Sequence, residues 1–184
     1  RSLCMADIIM TGYIGAVTIA GVAAEYRDEL IKKLPHGLVD RAAGYMEALE
    51  GSLSECSPDT SFVKEDDIVL PVGEGGIFRA LSGISSITKK GFVVNLRDIN
   101  ITQETVEICE IYDVNPYKLY SPGCCLYVSS QGMSLLRALR DKGYTADIIG
   151  YTTSDNDKKV VNGDETRYLE TRFEDEIKKI KRQL

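Results

Sequence analysis

Four residues, Gly73-Glu74-Gly75-Gly76, separate the apolar run Leu70-Pro71-Val72 from a segment, Ile77-Phe78-Arg79-Ala80-Leu81, whose apolar residues recur at helical spacing. Glycine permits positive φ and close approach of other groups. A helix start leaves N–H groups without intrahelical partners and carries a partial positive charge. The chemistry this arrangement offers is a backbone cradle for an anion such as a phosphate. A tight strand-to-helix turn accounts for the same glycines with no ligand at all. Glu74 has the type of a general base or metal ligand, but an acidic residue at a helix start also simply stabilises the helix.

The remaining chemistry-bearing residues are scattered. His36 is the single histidine and follows Pro35. An imidazole can serve as a general base near neutrality, yet no Asp, Ser or Cys partner stands near it in sequence. The run Glu65-Asp66-Asp67 has the ligand type of a divalent-ion loop, and a solvated loop has the same composition. Glu107 and Glu110 share a helical face at i, i+3. The five cysteines, Cys4, Cys56, Cys109, Cys124 and Cys125, show neither CxxC nor Cys/His spacing. They form no disulfide framework and no zinc site. In a strand, neighbouring Cys124 and Cys125 point to opposite faces. Small buried hydrophobes in a reduced, cytoplasmic protein fit them better than redox chemistry.

With 184 residues, 43% hydrophobic and 27% charged, the chain can bury a core of its own. Its net charge of −6 and lack of a basic face argue against nucleic-acid binding. Lys178-Lys179-Ile180-Lys181-Arg182 reads as a solvated helix end suited to the helix dipole. The uncharged stretch from Ile8 to Ala24 is shorter than a membrane span, holds Gly12, Gly15 and Gly21, and is bracketed by Asp7 and Glu25. No membrane association is expected.

The elements that must position these groups follow from periodicity and turn chemistry. Asp7–Met10, Ile68–Val72, Phe92–Leu96, Cys124–Ser129, Ala146–Thr152, Lys158–Val161 and Thr166–Glu170 read as strands. Asn162-Gly163 is a hairpin signal between the last two. Helices are predicted over Val17–Leu34, with Ala20, Ala23, Ala24, Leu30, Ile31 and Leu34 on one face, and over His36–Leu49 beyond Pro35, with Leu38, Val39, Ala42, Met46 and Leu49 together. A third runs Gly76–Thr88, burying Ile77, Leu81, Ile84 and Ile87, with Gly91 after its end. Thr102 reads as the N-cap of a helix to Tyr112. Further helices cover Ser130 to Arg140 and Phe173–Arg182. Gly51–Asp67 is a polar loop. The sum is an α+β fold: a mixed, largely antiparallel sheet covered by helices.

Four stretches resemble the C-terminal domain of the AIR synthase (aminoimidazole ribonucleotide synthetase) superfamily, and within it the hydrogenase-maturation-factor, HypE-like group. Asp7-Ile8-Ile9-Met10-Thr11-Gly12-Tyr13-Ile14-Gly15 is similar to the segment that leads into that domain from the ATP-binding half. Val72-Gly73-Glu74-Gly75-Gly76-Ile77 stands where the family has an Asp-x-Thr-x-Gly-Gly-Leu element. Glu104-Thr105-Val106-Glu107-Ile108-Cys109-Glu110 with Asn115-Pro116 resembles the helix and turn before the last half-sheet. Ser121-Pro122-Gly123-Cys124-Cys125-Leu126 matches a Ser-x-Gly strand start. The likeness runs from about Met5 to Glu176.

The resemblance implies a two-half protein. Its N-terminal domain dimerises and holds ATP with magnesium, and its C-terminal domain closes the cleft. No acidic ATP motif occurs in this chain, so it is expected to be the second half alone. Residues 1–15 would be interdomain strand or linker, and 16–184 the AIR synthase-like C-terminal domain. The full-length protein would use ATP and magnesium, would pair this half with its ATP-binding domain and would form a homodimer; the isolated chain is expected to bind neither cofactor and to be inactive. The implied cleft residues are Gly73, Glu74, Gly75, Gly76, Ser121, Gly123 and Thr11. The implied chemistry is phosphorylation of a carbonyl-type oxygen by ATP, catalysed by positioning and charge stabilisation. The sequence departs from the family at Pro71 and Gly73, where Asp and Thr are usual. It ends Lys181-Arg182-Gln183-Leu184 rather than in a carbamoyl-carrying Pro-Arg-Ile-Cys tail, and lacks the Asp-x-Ser-Asp-Gly element of thiamine-monophosphate kinases. These departures keep open a second reading, a non-catalytic binding or assembly module.

Overall fold

The computed structural model describes residues 5–50, 58–170 and 172–184, without the side chains of 48–50. Cys4, Cys56, the 51–57 part of the polar loop and the side chain of Leu49 lie outside the described residues.

Among the described residues seven strands form one sheet: β1 (Asp7–Thr11), β2 (Ile68–Pro71), β3 (Phe92–Asn95), β4 (Cys125–Ser129), β5 (Ala146–Thr152), β6 (Lys158–Asn162) and β7 (Glu165–Tyr168). Their order is β2-β4-β1-β5-β3-β6-β7, with β3 and β6 the parallel pair and every other pairing antiparallel. Helices α1 (Ala16–Glu25), α2 (Arg27–Leu30), α3 (His36–Glu50), α4 (Gly76–Thr88), α5 (Gln103–Ile111), α6 (Gly132–Asp141) and α7 (Ile177–Gln183) complete the α+β architecture. None of them is long and apolar enough to cross a membrane.

Strand alternation sorts the core. Leu126 and Val128 of β4 join Ile8 and Met10 of β1 in a cluster under α4, which contributes Ile77, Leu81 and Ile84. Cys125 and Tyr127 face the other way, with Ile9, into a cluster closed by Leu135, Leu136 and Leu139 of α6. Burying each such side chain is worth about 1.5–3 kcal/mol, so β4, buried along its whole length, needs a helix on both faces. A third cluster packs α1, α2, α3, α5 and α7 on one another through Ile19, Leu30, Val39, Ile108 and Ile180. Exposed pairs link these helices: Arg27 forks onto Asp40 at 2.8 and 3.2 Å, and Arg41 meets Glu104 at 2.8 Å.

Several boundaries differ from the sequence expectation. The predicted helix Val17–Leu34 breaks at Tyr26, whose φ and ψ of −115° and 31° leave the helical region. After the break Leu30 lies fully inside the helical cluster, whereas Ala24 faces solvent. Ile87 is 56% exposed; ten residues past Ile77, it stands about 80° round the helix from it. Met46 is 44% exposed, and its cluster ends at Ala42 and Ala43. Lys89, at φ +57°, terminates α4 before Gly91 is reached. Asn162 pairs with Glu165, so the turn centres on Gly163-Asp164, one residue later than expected. The helices α6 and α7 start at Gly132 and Ile177 rather than Ser130 and Phe173. Thr102 does cap α5, its hydroxyl accepting from the Thr105 amide at 3.2 Å.

Cys124 and Cys125 occupy opposite faces, in the α4-side and α6-side clusters respectively. Burial pushes the Cys109 and Cys124 thiols up to about 12, from an ordinary value of 9.0, with nearby Glu176 and Cys125 adding to the effect. Because the folded values are raised, the native state keeps protons that the unfolded chain has lost between those pH values. Their contribution to stability is complete below the window and falls as pH rises through it. Three of the five cysteines, Cys109, Cys124 and Cys125, are buried. A disulfide-exchange reagent at about pH 8 is therefore expected to titrate no more than two thiols, Cys4 and Cys56, in the native protein, and all five after denaturation. A third reactive thiol without denaturant would contradict the burial of Cys109, Cys124 and Cys125.

Candidate functional site

Sheet topology assembles three glycine turns at one rim. Strand β4 lies antiparallel between β1 and β2, and Thr11 and Pro71 both register with Cys125. The ends of β1 and β2 therefore meet the start of β4. Gly12 follows β1 at φ +79° and Gly123 precedes β4 at φ +84°. A Cβ on Gly12 would come within 3.0 Å of the Gly123 carbonyl oxygen. The amide of Val72 donates to the Cys124 carbonyl at 2.9 Å, which sets Gly73 on the same rim.

The seven residues singled out in the sequence divide into two groups. Gly73, Glu74 and Gly123 reach the surface. Gly73 and Glu74 border an open groove of about 400 Å³, whose wall is Leu70, Pro71, Arg79, Ala80 and Gly83. Thr11, Ser121, Gly75 and Gly76 are buried. The Thr11 hydroxyl lies 3.5 Å from the Cys125 carbonyl oxygen. Ser121 Oγ accepts from the Gly15 amide at 2.8 Å and donates to the Leu119 carbonyl at 2.7 Å. It knots the turn after β1 to the segment before β4.

The Gly75 amide donates to Asp175 Oδ2 at 2.8 Å, and the Gly76 amide donates to the Gly73 carbonyl at 3.1 Å. The other carboxylate oxygen of Asp175 accepts from Ile177 N at 3.0 Å and Tyr120 N at 3.4 Å. Asp175 is 5% exposed. The anion at the start of α4 is thus the protein's own carboxylate, carried there from the C-terminal segment. The part of the glycine element left at the surface is Gly73-Glu74.

Asp175 was missed by sequence reasoning. Its place two residues before α7 signals a local helix-start acceptor, which the Ile177 bond bears out. Nothing in the sequence points to its contact with Gly75, one hundred residues away. Of the other candidates, His36 is exposed at the first residue of α3, Glu65 and Asp66 are exposed, and Asp67 accepts from the Lys64 amide at 2.9 Å. Among the described residues no group of three or more His, Cys, Asp or Glu side chains could hold a metal ion.

No family profile matches the sequence, and no curated protein matches it. Solved structures do match the fold, and they define its class: the AIR synthase-like α+β fold. The HypE structure in complex with ATP aligns with a TM-score of 0.66 at 13% identity, over 92% of this chain and 51% of that one. The HypE–HypF complex gives 0.65 at 17% identity, over 90% and 52%. Thiamine-monophosphate kinase from Stenotrophomonas maltophilia gives 0.53 at 14% identity, over 90% and 52%. At these identities the likeness is one of fold. The chain spans about half the length of the structures it matches.

Proposed function

We propose that this chain is the cleft-closing half of an ATP-using, AIR synthase-like protein of the hydrogenase-maturation type. The supporting observation is that nine-tenths of the chain aligns with half of a HypE whose structure was solved with ATP. In this reading residues 1–15 lead in from the nucleotide-holding half and 16–184 form the second wall. The rim of Gly73, Glu74 and Gly123 faces the cleft, with Thr11, Gly75, Gly76 and Ser121 fixing its shape from beneath. The full-length protein would work in the cytoplasm as a homodimer. ATP and magnesium would be held by the other half, and the chemistry would be phosphoryl transfer to a carbonyl-type oxygen. This half would contribute close backbone approach and exclusion of water.

Gly73 offers a clean test. A Cβ there meets nothing within 4 Å and its φ is not positive, so Gly73→Val should fold normally. In the polypeptide that joins this chain to its nucleotide-binding half, the variant is expected to lower kcat/KM for ATP turnover about tenfold or more. The isolated chain should show no ATP binding by calorimetry. Turnover by the isolated chain, or full activity in the Gly73 variant, would refute this role for the rim.

A non-catalytic module is favoured by a different observation. Asp175 fills the Gly75 amide, and Pro71 and Gly73 bring no reactive side chain to the rim. Calorimetry of the joined protein with ATP and magnesium separates the two readings: absence of binding selects the module.

A further inference from the structure

A second cavity, of about 290 Å³, opens between α4, the 3-10 turn Pro116–Lys118 and the β6–β7 hairpin. It shares no lining residue with the rim, and sequence reasoning did not anticipate it. Its floor is a parallel aromatic pair: the rings of Phe78 and Tyr117 lie 5.2 Å apart at 11°. Phe173 adds a third ring to the lining, whereas the Tyr168 ring turns to the other face of the sheet, under Lys159. Two cations stand at its edge. Lys118 comes from the turn. Arg167 comes from β7, where registry with the buried Val160 aims it at the same face of the sheet. A void left by imperfect packing would be closed and lined by apolar groups; here the wall is aromatic and the mouth is charged.

The electrostatics select the sign of a ligand. Lys118 is only 23% exposed, and its partner Glu170 stands 3.8 Å away and is 79% exposed. That long contact, with Glu170 itself in the lining, leaves the half-buried Lys118 open to a closer anion. Arg167 pairs with Glu165 at 2.8 Å, both well exposed, a contact worth little in water. Asn115 also lines the cavity. Its Oδ1 accepts from the Tyr117 amide at 3.0 Å and so fixes the turn that presents both Tyr117 and Lys118.

We propose that this cavity is a binding site for a small planar aromatic molecule carrying one anionic group, a phosphate or carboxylate. The ring lies among Phe78, Tyr117 and Phe173, and the anion lies between Lys118 and Arg167. The volume sits near the lower bound of about 300 Å³ for small-molecule sites, which admits one or two fused rings with their charged group. The proposal is independent of the nucleotide reading of the rim.

The test is calorimetric titration of the chain with 1-naphthyl phosphate, alongside 1-naphthol and inorganic phosphate. The phosphate ester is expected to bind saturably at one site with a Kd below about 1 mM. Neither the alcohol nor the inorganic ion should match it. Lys118→Met is expected to weaken binding about tenfold, the loss of one charge-assisted contact. Arg167→Gln changes an exposed side chain and should weaken binding while leaving the circular dichroism unchanged. No saturable binding by the ester, equal affinity for inorganic phosphate, or full affinity in both folded variants would each overturn the proposal.

Discussion

Replacing Gly76 by valine is expected to cost about 3–5 kcal/mol of stability, the sum of backbone strain and overpacking. Gly76 holds φ at +69°, which a β-branched residue resists. A Cβ there would lie 2.5 Å from the Tyr117 carbonyl oxygen, 2.7 Å from the Lys118 carbonyl carbon and 2.8 Å from the Leu119 amide nitrogen. All three are backbone atoms, so no side chain can swing aside. The turn they belong to would have to move, and with it Ser121, which ties Leu119 to Gly15. In thermal unfolding the shift should be on the order of 10 °C for a chain of this size. Gly73→Val, four-residue element and all else shared, is the control with open space at its Cβ. Equal midpoints for the two variants would show that the tight seat of α4 against the 117–119 turn is not formed in solution.

Removing the Asp175 carboxylate is the second large effect. Asp175→Ala leaves the amides of Gly75, Tyr120 and Ile177 without their acceptor. The site is nearly closed to water, at 5% exposure for Asp175. Hydrogen bonds to a charged acceptor are worth about 1.5–3 kcal/mol each, with the long Tyr120 contact at the weak end. Allowing for relaxation of the half-buried α7 start, the expected loss is about 3 kcal/mol by urea denaturation. Asp175→Asn keeps one acceptor oxygen and should lose roughly half as much. Amide exchange at Gly75 should quicken in both variants, because its partner is the altered side chain. A loss below about 0.5 kcal/mol in Asp175→Ala, the range of an ordinary surface substitution, would mean the C-terminal segment does not hold the start of α4.

Both effects arise at the same element, and they show how differently its parts were legible. That Gly73–Gly76 opens a helix was readable, because three glycines ahead of Ile77, Leu81 and Ile84 are a local signal. Which amides remain available was not readable, since it depends on Asp175, and chain distance hides that contact. The same contrast recurs along the fold. Thr102 capping α5 involves residues three apart, and the bond forms as the spacing predicts. The break at Tyr26 has no Gly or Pro to announce it; it coincides with the packing of Leu30 among the helices and the Arg27–Asp40 pair. Ile87 keeps the apolar type of its helix face but drifts out of it, because a period of 3.6 does not return every third residue to the core.

The sequence by itself determined which segments are strands and helices, that the sheet is mixed and helix-covered, and that neighbouring Cys124 and Cys125 face opposite ways. Those properties follow from side-chain period, caps and turn residues within a few positions of one another. The tertiary structure alone decided that Gly12, Gly73 and Gly123 share one rim, that Asp175 occupies the start of α4, and that an aromatic cavity opens beside Lys118. Each of these needs strand order or a contact between distant segments, and such contacts form only when the chain closes on itself to bury its apolar faces.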